Sequence, residues 1–426
     1  MNESASPAPN RSASCADDYD PASLSVAAAR ERIRLELTPV TLIESLPLRS
    51  ALGRLLATPI LSPFNVPNHD NSAMDGYAFH SSAAASEGLT SLQLVGTAAA
   101  GSPFAEEVPR GACVRIMTGA VMPRGCDSVV EQERVTVNDA VIAFPGPIQP
   151  GMNRRLAGED LQAGQAALQA GRLITPADLG LLASLGQVEV KVFRKLRVAF
   201  FSTGDELTSL GQPLAAGQVY DSNRYTLFGM LQRLGVDWLD LGVVPDDPTA
   251  LEATLRHAAA EADVILTSGG VSVGEADHMK ALLKKLGQVV FWKIAMKPGR
   301  PLAYGKIGGA HYFGLPGNPV AVMVTFYQFV REALLILMGQ TQPEPLPVLQ
   351  AECTAELRKR PGRMEFQRGR LFVAEDGSWK VNPFRAQGSG ILSSMSEANC
   401  FILLSEHQGN VSAGTTVPVQ VFHGIV

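Results

Sequence analysis

Ala262-Asp263-Val264-Ile265-Leu266-Thr267-Ser268-Gly269-Gly270-Val271-Ser272-Val273-Gly274-Glu275-Ala276-Asp277-His278 is the stretch around which the chain is organised. Val264, Ile265 and Leu266 form an apolar run too short for a helix, and it ends in Thr-Ser-Gly-Gly. That pattern predicts a buried strand running into a loop. Paired glycines let backbone N–H groups turn toward a ligand at close range, with no Cβ in the way. The hydroxyls of Thr267, Ser268 and Ser272 add donors suited to phosphate or another oxyanion. Glu275 and Asp277 stand near the start of a helix expected from about Ala276, and carboxylates beside oxyanion donors suggest a divalent cation between protein and phosphate. A plain strand-to-helix turn, with acidic residues favouring the helix N-terminus, explains the same residues. Context has to decide.

Outward from that stretch, residues 196–341 alternate strand candidates (197–202, 238–244, 264–267, 289–294) with amphipathic stretches (223–234, 249–261, 277–286, 320–338). The alternation predicts a doubly wound α/β sheet, and such sheets bind ligands outside the carboxyl ends of their strands. The polar motifs fall there. Ser202-Thr203-Gly204-Asp205-Glu206-Leu207 follows the first strand, Pro245-Asp246-Asp247 the second and Thr267 through Asp277 the third. Lys293 and Lys297-Pro298-Gly299-Arg300-Pro301 follow the fourth, and Leu315-Pro316-Gly317-Asn318-Pro319 precedes the last helix. Five polar loops along one edge exceed what packing requires.

The flanking regions read differently. Residues 1–23, rich in Ser, Ala, Pro and Asp without an apolar stretch, are expected to be a disordered tail rather than a secretory signal. Residues 24–58 carry a helical pattern, residues 90–145 hold short strand candidates between Gly and Pro turns, and a helix is expected at 176–185. The expected organisation is an elongated N-terminal helical domain made of 24–62 and 161–195, interrupted by a β-rich insertion at 63–160. The α/β domain spans 196–341. After a Pro-rich linker, residues 342–426 alternate as a small β-barrel would.

With 426 residues, 46% of them hydrophobic, the chain can fill several cores. A net charge of -5 gives no general nucleic-acid surface, so no nucleic-acid partner is expected. The five cysteines are scattered without a C-x-x-C pair, which argues against structural zinc and suits a reducing cytosol. His69 and His278 lack a third ligand nearby, and no zinc is assigned. No apolar run is expected to approach the roughly 20 residues that span a bilayer, so no membrane association is expected.

Asn71-Ser72-Ala73-Met74-Asp75-Gly76-Tyr77-Ala78, Arg115-Ile116-Met117-Thr118-Gly119-Ala120, Gly158-Glu159-Asp160 and the four α/β motifs at 202–207, 267–277, 297–301 and 316–319 occur in order. Together they resemble the MoeA family, the molybdopterin molybdenumtransferases, also found as the E domain of gephyrin. The resemblance runs from about Leu24 to the C-terminus. It implies a four-domain subunit that dimerises, with a molybdopterin-binding, adenylyltransferase-like α/β domain and a cleft completed by the partner subunit. The activity implied is insertion of molybdenum from molybdate into adenylylated molybdopterin, with magnesium-dependent release of AMP. A cytoplasmic homodimer is implied, served by a molybdopterin adenylyltransferase and by molybdoenzyme maturation proteins.

The resemblance also implies residue roles. Glu206, Asp246 and Asp277 match positions important for activity, and Asp75 and Thr118 match functional positions across the dimer cleft. The chemistry of the residue types extends this set. Lys293, Lys297 and Arg300 would offset charge as the adenylate leaves. Asp205, Glu206, Asp246 and Asp277 would bind magnesium or position water. Thr203, Gly204, Thr267, Ser268, Gly269, Gly270 and Ser272, with Pro316, Gly317, Asn318 and Pro319, would line the substrate. Arg368 and Ser389 match the family's functional Arg and Ser, suited to molybdate or substrate. Arg300 replaces the Lys of many relatives, and Ala321 replaces a common Ser.

Several candidates have simpler explanations. Asp75 would stabilise an Asp75-Gly76 turn, and Thr118 would merely end a strand. One of Asp246 and Asp247 would cap a helix that has Pro248 at its first position. Lys293 beside Trp292 would be a snorkelling surface lysine. Two other functions also suit the fold. A molybdopterin adenylyltransferase would need only the α/β domain and would use ATP; a gephyrin-like scaffold would need no catalytic carboxylates.

Overall fold

The computed structural model describes residues 23–270, 277–340 and 342–422. The described residues fold as two compact units, the smaller made of residues 45–52 and 56–192 and the larger of the described residues among 23–44, 53–55 and 193–422.

The smaller unit contains a six-stranded mixed sheet in the order Ser128–Glu131, Gly76–Phe79, Ala112–Ile116, Leu89–Ala98, Val141–Pro145, Thr136–Asn138. The β-rich character expected for this region is present. The strand Gly76–Phe79 pairs on both sides. Gly76 is required inside it, because a Cβ there would overlap the Val130 carbonyl oxygen. Outside the sheet, Leu56, Ile60, Leu168, Ile174, Leu182 and Val190 form a separate core. Its helix, Pro176–Ser184, starts with a capping box between Thr175 and Asp178.

The helical pattern read over 24–58 is realised only in part. A helix spans Val26–Glu36, capped by Ser25, and Pro39 stops it shortly after; Ile43–Pro47 is a strand. Val26, Ala29 and Ile33 belong to the main core of the larger unit. Leu24 donates to the Lys293 carbonyl at 2.8 Å, and Ala295 donates to that of Leu24 at 2.7 Å. The chain from Leu24 to Glu44 packs in the larger unit.

The α/β part of the larger unit runs β1 (Arg197–Thr203), α1 (Ser222–Leu234), β2 (Asp237–Val244), α2 (Pro248–Glu261), β3 (Val264–Ser268), α3 (Asp277–Leu286), β4 (Gly287–Lys293), β5 (Pro301–Ile307), β6 (Ala310–Leu315) and α4 (Pro319–Leu337). The strand order is β2-β1-β3-β6-β5-β4. The pairs β2–β1, β1–β3 and β3–β6 are parallel, whereas β6–β5 and β5–β4 are antiparallel. Alternate strand residues feed two apolar layers. Val198, Phe200, Leu266 and Phe313 face one, and Ala199, Phe201, Ile265 and Tyr312 face the other, as a sheet covered on both sides requires.

Two sequence readings need correction here. The sequence reading assigns no element to residues 302–314, where β5 and β6 pair; Gly308-Gly309 between Ile307 and Ala310 is a two-residue hairpin signal. An apolar run long enough to cross a bilayer does exist. Pro319–Leu337 meets that standard by length and composition, with a wide turn at Phe326–Val330, and 83% of its most apolar 18-residue window is buried in the fold. Its all-round apolarity reflects a core position.

The C-terminal strands Val348–Cys353, Met364–Val373, Trp379–Pro383, Cys400–Leu404 and Thr416–Val421 close into a five-stranded barrel. Barrel and α/β sheet are stitched together where Met296 and Lys297 pair with Met364 and Glu365.

Candidate functional site

Register aligns the polar loops of the larger unit. Thr203 lies opposite Val244, Ser202 opposite Ser268, and Ser268 opposite Leu315. Gly314 pairs with Ala303, and Lys293 with Pro301. Because β4 is two antiparallel steps from β6, its C-terminal Lys293 emerges on the same edge as the ends of the parallel strands. The carboxyl edge thus carries the motifs at 203–207, 245–247, 267–270, 293–301 and 315–319.

Three of these loops close on one another. Gly269 has φ +92° and Gly270 φ +68°; a Cβ on Gly269 would overlap the Thr203 carbonyl, and one on Gly270 would press on the Thr203 methyl at 3.2 Å. Gly317 approaches the Gly269 Cα to 4.0 Å from its own Cβ direction. Asn223, buried at the start of α1, donates to Ser268 Oγ at 2.8 Å and to the Gly317 carbonyl at 2.6 Å. The Thr203 hydroxyl and Asn223 Oδ1 are buried at this junction without a hydrogen-bond partner among the described residues. A buried polar atom left so is costly unless a ligand or water satisfies it.

The donors expected from the Thr-Ser-Gly-Gly stretch are partly committed elsewhere. Thr267 shares a 2.7 Å hydrogen bond with the Tyr312 hydroxyl, and the Ser268 hydroxyl serves Asn223 and the Pro316 carbonyl. Both side chains are buried, and the Gly269 N–H donates to the Leu315 carbonyl. These groups build the loop and are not presented to a phosphate. Ser272 and Glu275 lie outside the described residues, as does the side chain of Asp277, whose backbone begins α3.

The two adjacent aspartates divide their tasks. Asp247 caps α2, accepting from the Ala250 N–H at 2.8 Å, with Pro248 next to it. Asp246 is left half-buried, its N–H 3.5 Å from Asp205 Oδ1, which brings the first and second loops together. Glu206 is exposed and folds its carboxylate back over Gly204. No three His, Cys, Asp or Glu side chains form a metal-holding group among the described residues. The four-carboxylate set named for magnesium is therefore not assembled by protein atoms alone. The donor chemistry still fits magnesium, which takes one or two carboxylates and completes its shell with substrate phosphate and water.

On the cationic side, Lys293 is exposed at the end of β4 and Arg300 is half-buried at the start of β5. Gly299 has φ +101°, and a Cβ there would come within 2.7 Å of the Thr325 methyl, so this loop packs directly on α4. Lys297 is half-exposed and pairs with the buried Glu365 at 3.6 Å. Asn318 occupies the N-cap position of α4 without a side-chain capping bond; Pro316 is buried before it and Pro319 opens the helix.

Arg368 takes a position its charge did not foretell. It is 1% exposed, and its guanidinium donates to Ser394 Oγ and to the carbonyls of Ala386, Gln387 and Gly388 at 2.9–3.2 Å. Burial pulls its pKa down to about 10. The side chain is spent on holding the loop that carries Ser389, whose carbonyl accepts from the Val320 N–H in α4 at 3.0 Å. Ser389 itself is half-buried.

Asp75 and Thr118 belong to the smaller unit. The Asp75 carboxylate does not stabilise its own Asp-Gly step; it reaches across to the Thr118 loop. The Thr118 backbone N–H, followed by its hydroxyl, holds the Asp75 carboxyl below the usual carboxylate range, with a smaller contribution from Arg115. Both residues are exposed.

Sequence reasoning missed Asp221, Asn223 and Tyr312. Asp221 is buried, caps α1 and accepts from the Ser202 hydroxyl at 3.0 Å. The signal was available in Val219-Tyr220-Asp221-Ser222-Asn223, a cap residue after a short strand.

Three family models match the chain in order: "MoeA N-terminal region (domain I and II)" over residues 24–186, "Probable molybdopterin binding domain" over 199–335 and "MoeA C-terminal region (domain IV)" over 350–422. The molybdopterin molybdenumtransferase of Haemophilus influenzae is 47% identical over 399 residues, covering 93% of this chain and 98% of that protein. That of Nostoc is 38% identical, with 88% of each chain covered. Among solved structures, the molybdopterin biosynthesis moeA protein of Pyrococcus horikoshii superposes with a TM-score of 0.82 at 28% identity, covering 94% of this chain and all of that one.

Proposed function

Because the chain belongs to the MoeA family of molybdopterin molybdenumtransferases and is a transferase by that membership, we propose that it inserts molybdenum from molybdate into adenylylated molybdopterin and releases AMP. The observation that carries this reading is the convergence of the Thr203, Gly269-Gly270 and Gly317 loops on the carboxyl edge, with two unsatisfied buried polar atoms at their junction. Such an edge is where an open α/β sheet takes its ligand.

In this reading Thr203 and Asn223 turn their free oxygens to the substrate. Lys293, Lys297 and Arg300 oppose the negative charge that grows on the departing adenylate. Asp205 and Asp246 would hold magnesium, with Glu206 and Asp277 orienting water or completing the site; the bound cation would neutralise phosphoryl charge. Arg368 acts through the Ser389 loop, placing that serine beside the N-terminus of α4. We further propose a cytoplasmic homodimer, in which Asp75 and Thr118 of one subunit face the carboxyl edge of the other. A molybdopterin adenylyltransferase would supply the substrate, and molybdoenzyme maturation proteins would take the product.

The test is reconstitution. Purified protein with adenylylated molybdopterin, molybdate and magnesium should activate a cofactor-free molybdoenzyme, and Asp246→Asn should lose that activation while staying folded. No activation by the folded wild-type protein would refute the reading.

A further inference from the structure

A second concave feature of the larger unit lies in the barrel. Lys297, Arg358, Lys359, Arg360, Arg363 and Glu365 line a cleft of about 670 Å³. Five cationic side chains face one carboxylate there. Glu365 is engaged by Lys297 at 3.6 Å and by the Gln367 amide at 3.0 Å, whereas Arg358, Arg360 and Arg363 form no ion pair among the described residues. Like charges this close repel, and a bound anion would relieve that repulsion.

The cleft is built, not merely decorated. Lys359 is 5% exposed, and its ammonium is fixed by the carbonyls of Arg360 and Gln408 at 3.2 and 2.9 Å. Its N–H donates to Asn410 Oδ1 at 2.9 Å, and the Gly362 N–H donates to the Glu406 carbonyl at 2.7 Å. Gln367 ties the Arg358 carbonyl to Glu365. The 358–363 loop is therefore clamped to the 406–410 loop before any ligand arrives. Burial lowers the Lys359 pKa; Glu365 and Glu406 oppose that shift, while Arg363 and Lys297 add to it.

We propose that this cleft is an anion-binding site for a compact ligand with two linked tetrahedral oxyanion groups, a diphosphate either free or in a nucleotide. One tetrahedral dianion would leave most of the lining charge unopposed and most of the volume unfilled. Arginine forks at Arg358, Arg360 and Arg363 can each meet two oxygens of such a group. The cleft shares Lys297 with the carboxyl edge, but Arg358, Arg360 and Arg363 lie outside that edge, so the assignment stands on the barrel loop rather than on the transferase reading.

The experiment is protection from arginine modification, read residue by residue by mass spectrometry. Inorganic pyrophosphate and ADP are the probes, with sodium chloride at matched ionic strength as reference. Pyrophosphate is expected to slow phenylglyoxal labelling of Arg358, Arg360 and Arg363 at least tenfold over chloride; equal protection by ADP identifies a nucleotide diphosphate, and lesser protection a free one. In a direct titration, the exposed substitution Arg360→Ser combined with Arg363→Ser should weaken pyrophosphate binding at least tenfold; should the pair fail to fold, Arg360→Ser alone should weaken it measurably. Labelling that pyrophosphate and chloride slow equally, or an affinity untouched by the substitutions, would overturn the assignment.

Discussion

The Asp75 carboxylate accepts two hydrogen bonds on one oxygen, from the Thr118 N–H and from the Thr118 hydroxyl, each at 2.7 Å. Forty-three residues separate the partners, and the contact joins the residue just before the strand Gly76–Phe79 to the loop that follows the strand Ala112–Ile116. Thr118→Val keeps the backbone bond and removes the hydroxyl bond. The Asp75 carboxyl should then titrate at higher pH by NMR, while the melting temperature stays within a few degrees, as exposed substitutions usually allow. Turnover should fall by up to about 100-fold, the scale of a small misplacement in a site. An unshifted titration would deny the hydroxyl its role.

Asp246 and Asp247 are predicted to separate function from folding. Asp247→Ala removes the cap of α2 and should cost about 1 kcal/mol of stability with turnover largely kept. Asp246→Asn should do the reverse, leaving denaturant midpoints unchanged and removing at least about 99% of activity, the scale of a lost electrostatic group. Paired denaturation and activity measurements on the two variants decide the assignment, and a swapped pattern would reverse it.

The glycine loops give a steric contrast. Gly269→Ala places a Cβ against the Thr203 carbonyl at positive φ and should destabilise by about 2 kcal/mol or more. Gly317→Ala meets nothing nearer than the Gly269 Cα at 4.0 Å and should fold as the parent does. Chemical denaturation of both variants reads the difference.

These contrasts mark how far the sequence could be read. The apolar run Val264-Ile265-Leu266 and its glycines were legible because strand length and φ freedom are local properties. So was the β-barrel, from its period-2 alternation. The partners of Thr267 and Ser268 were not legible, because Tyr312 and Asn223 reach them from 45 residues away in each direction. Arg368 misled for a related reason. A guanidinium suggests an exposed oxyanion ligand, but the carbonyls of residues 386–388 that absorb it carry no side-chain signature. The helical spacing of Val26, Ala29 and Ile33 was legible, and only tertiary burial reveals that this apolar face packs in the larger unit.

Burial also sets a pH dependence. His311 is 6% exposed, and burial, helped by Lys306 and opposed by Asp263, lowers its pKa from 6.5 to about 4. The unfolded chain binds its proton first on acidification. Its contribution to stability is therefore complete above pH 6.5 and is lost as pH falls toward 4, by up to about 3 kcal/mol. His311→Gln should flatten that part of the stability profile in denaturation experiments between pH 7 and 4. An equally steep profile in the variant would place the dependence elsewhere.

The central claim is that the carboxyl edge of the α/β sheet uses an already adenylylated substrate. The measurement that tests it most directly is AMP release by the purified protein from adenylylated molybdopterin, with molybdate and magnesium present and ATP withheld. The account predicts one AMP for each molybdenum incorporated, abolished in Asp246→Asn. AMP release that requires added ATP, or that proceeds equally without molybdate incorporation, would contradict it.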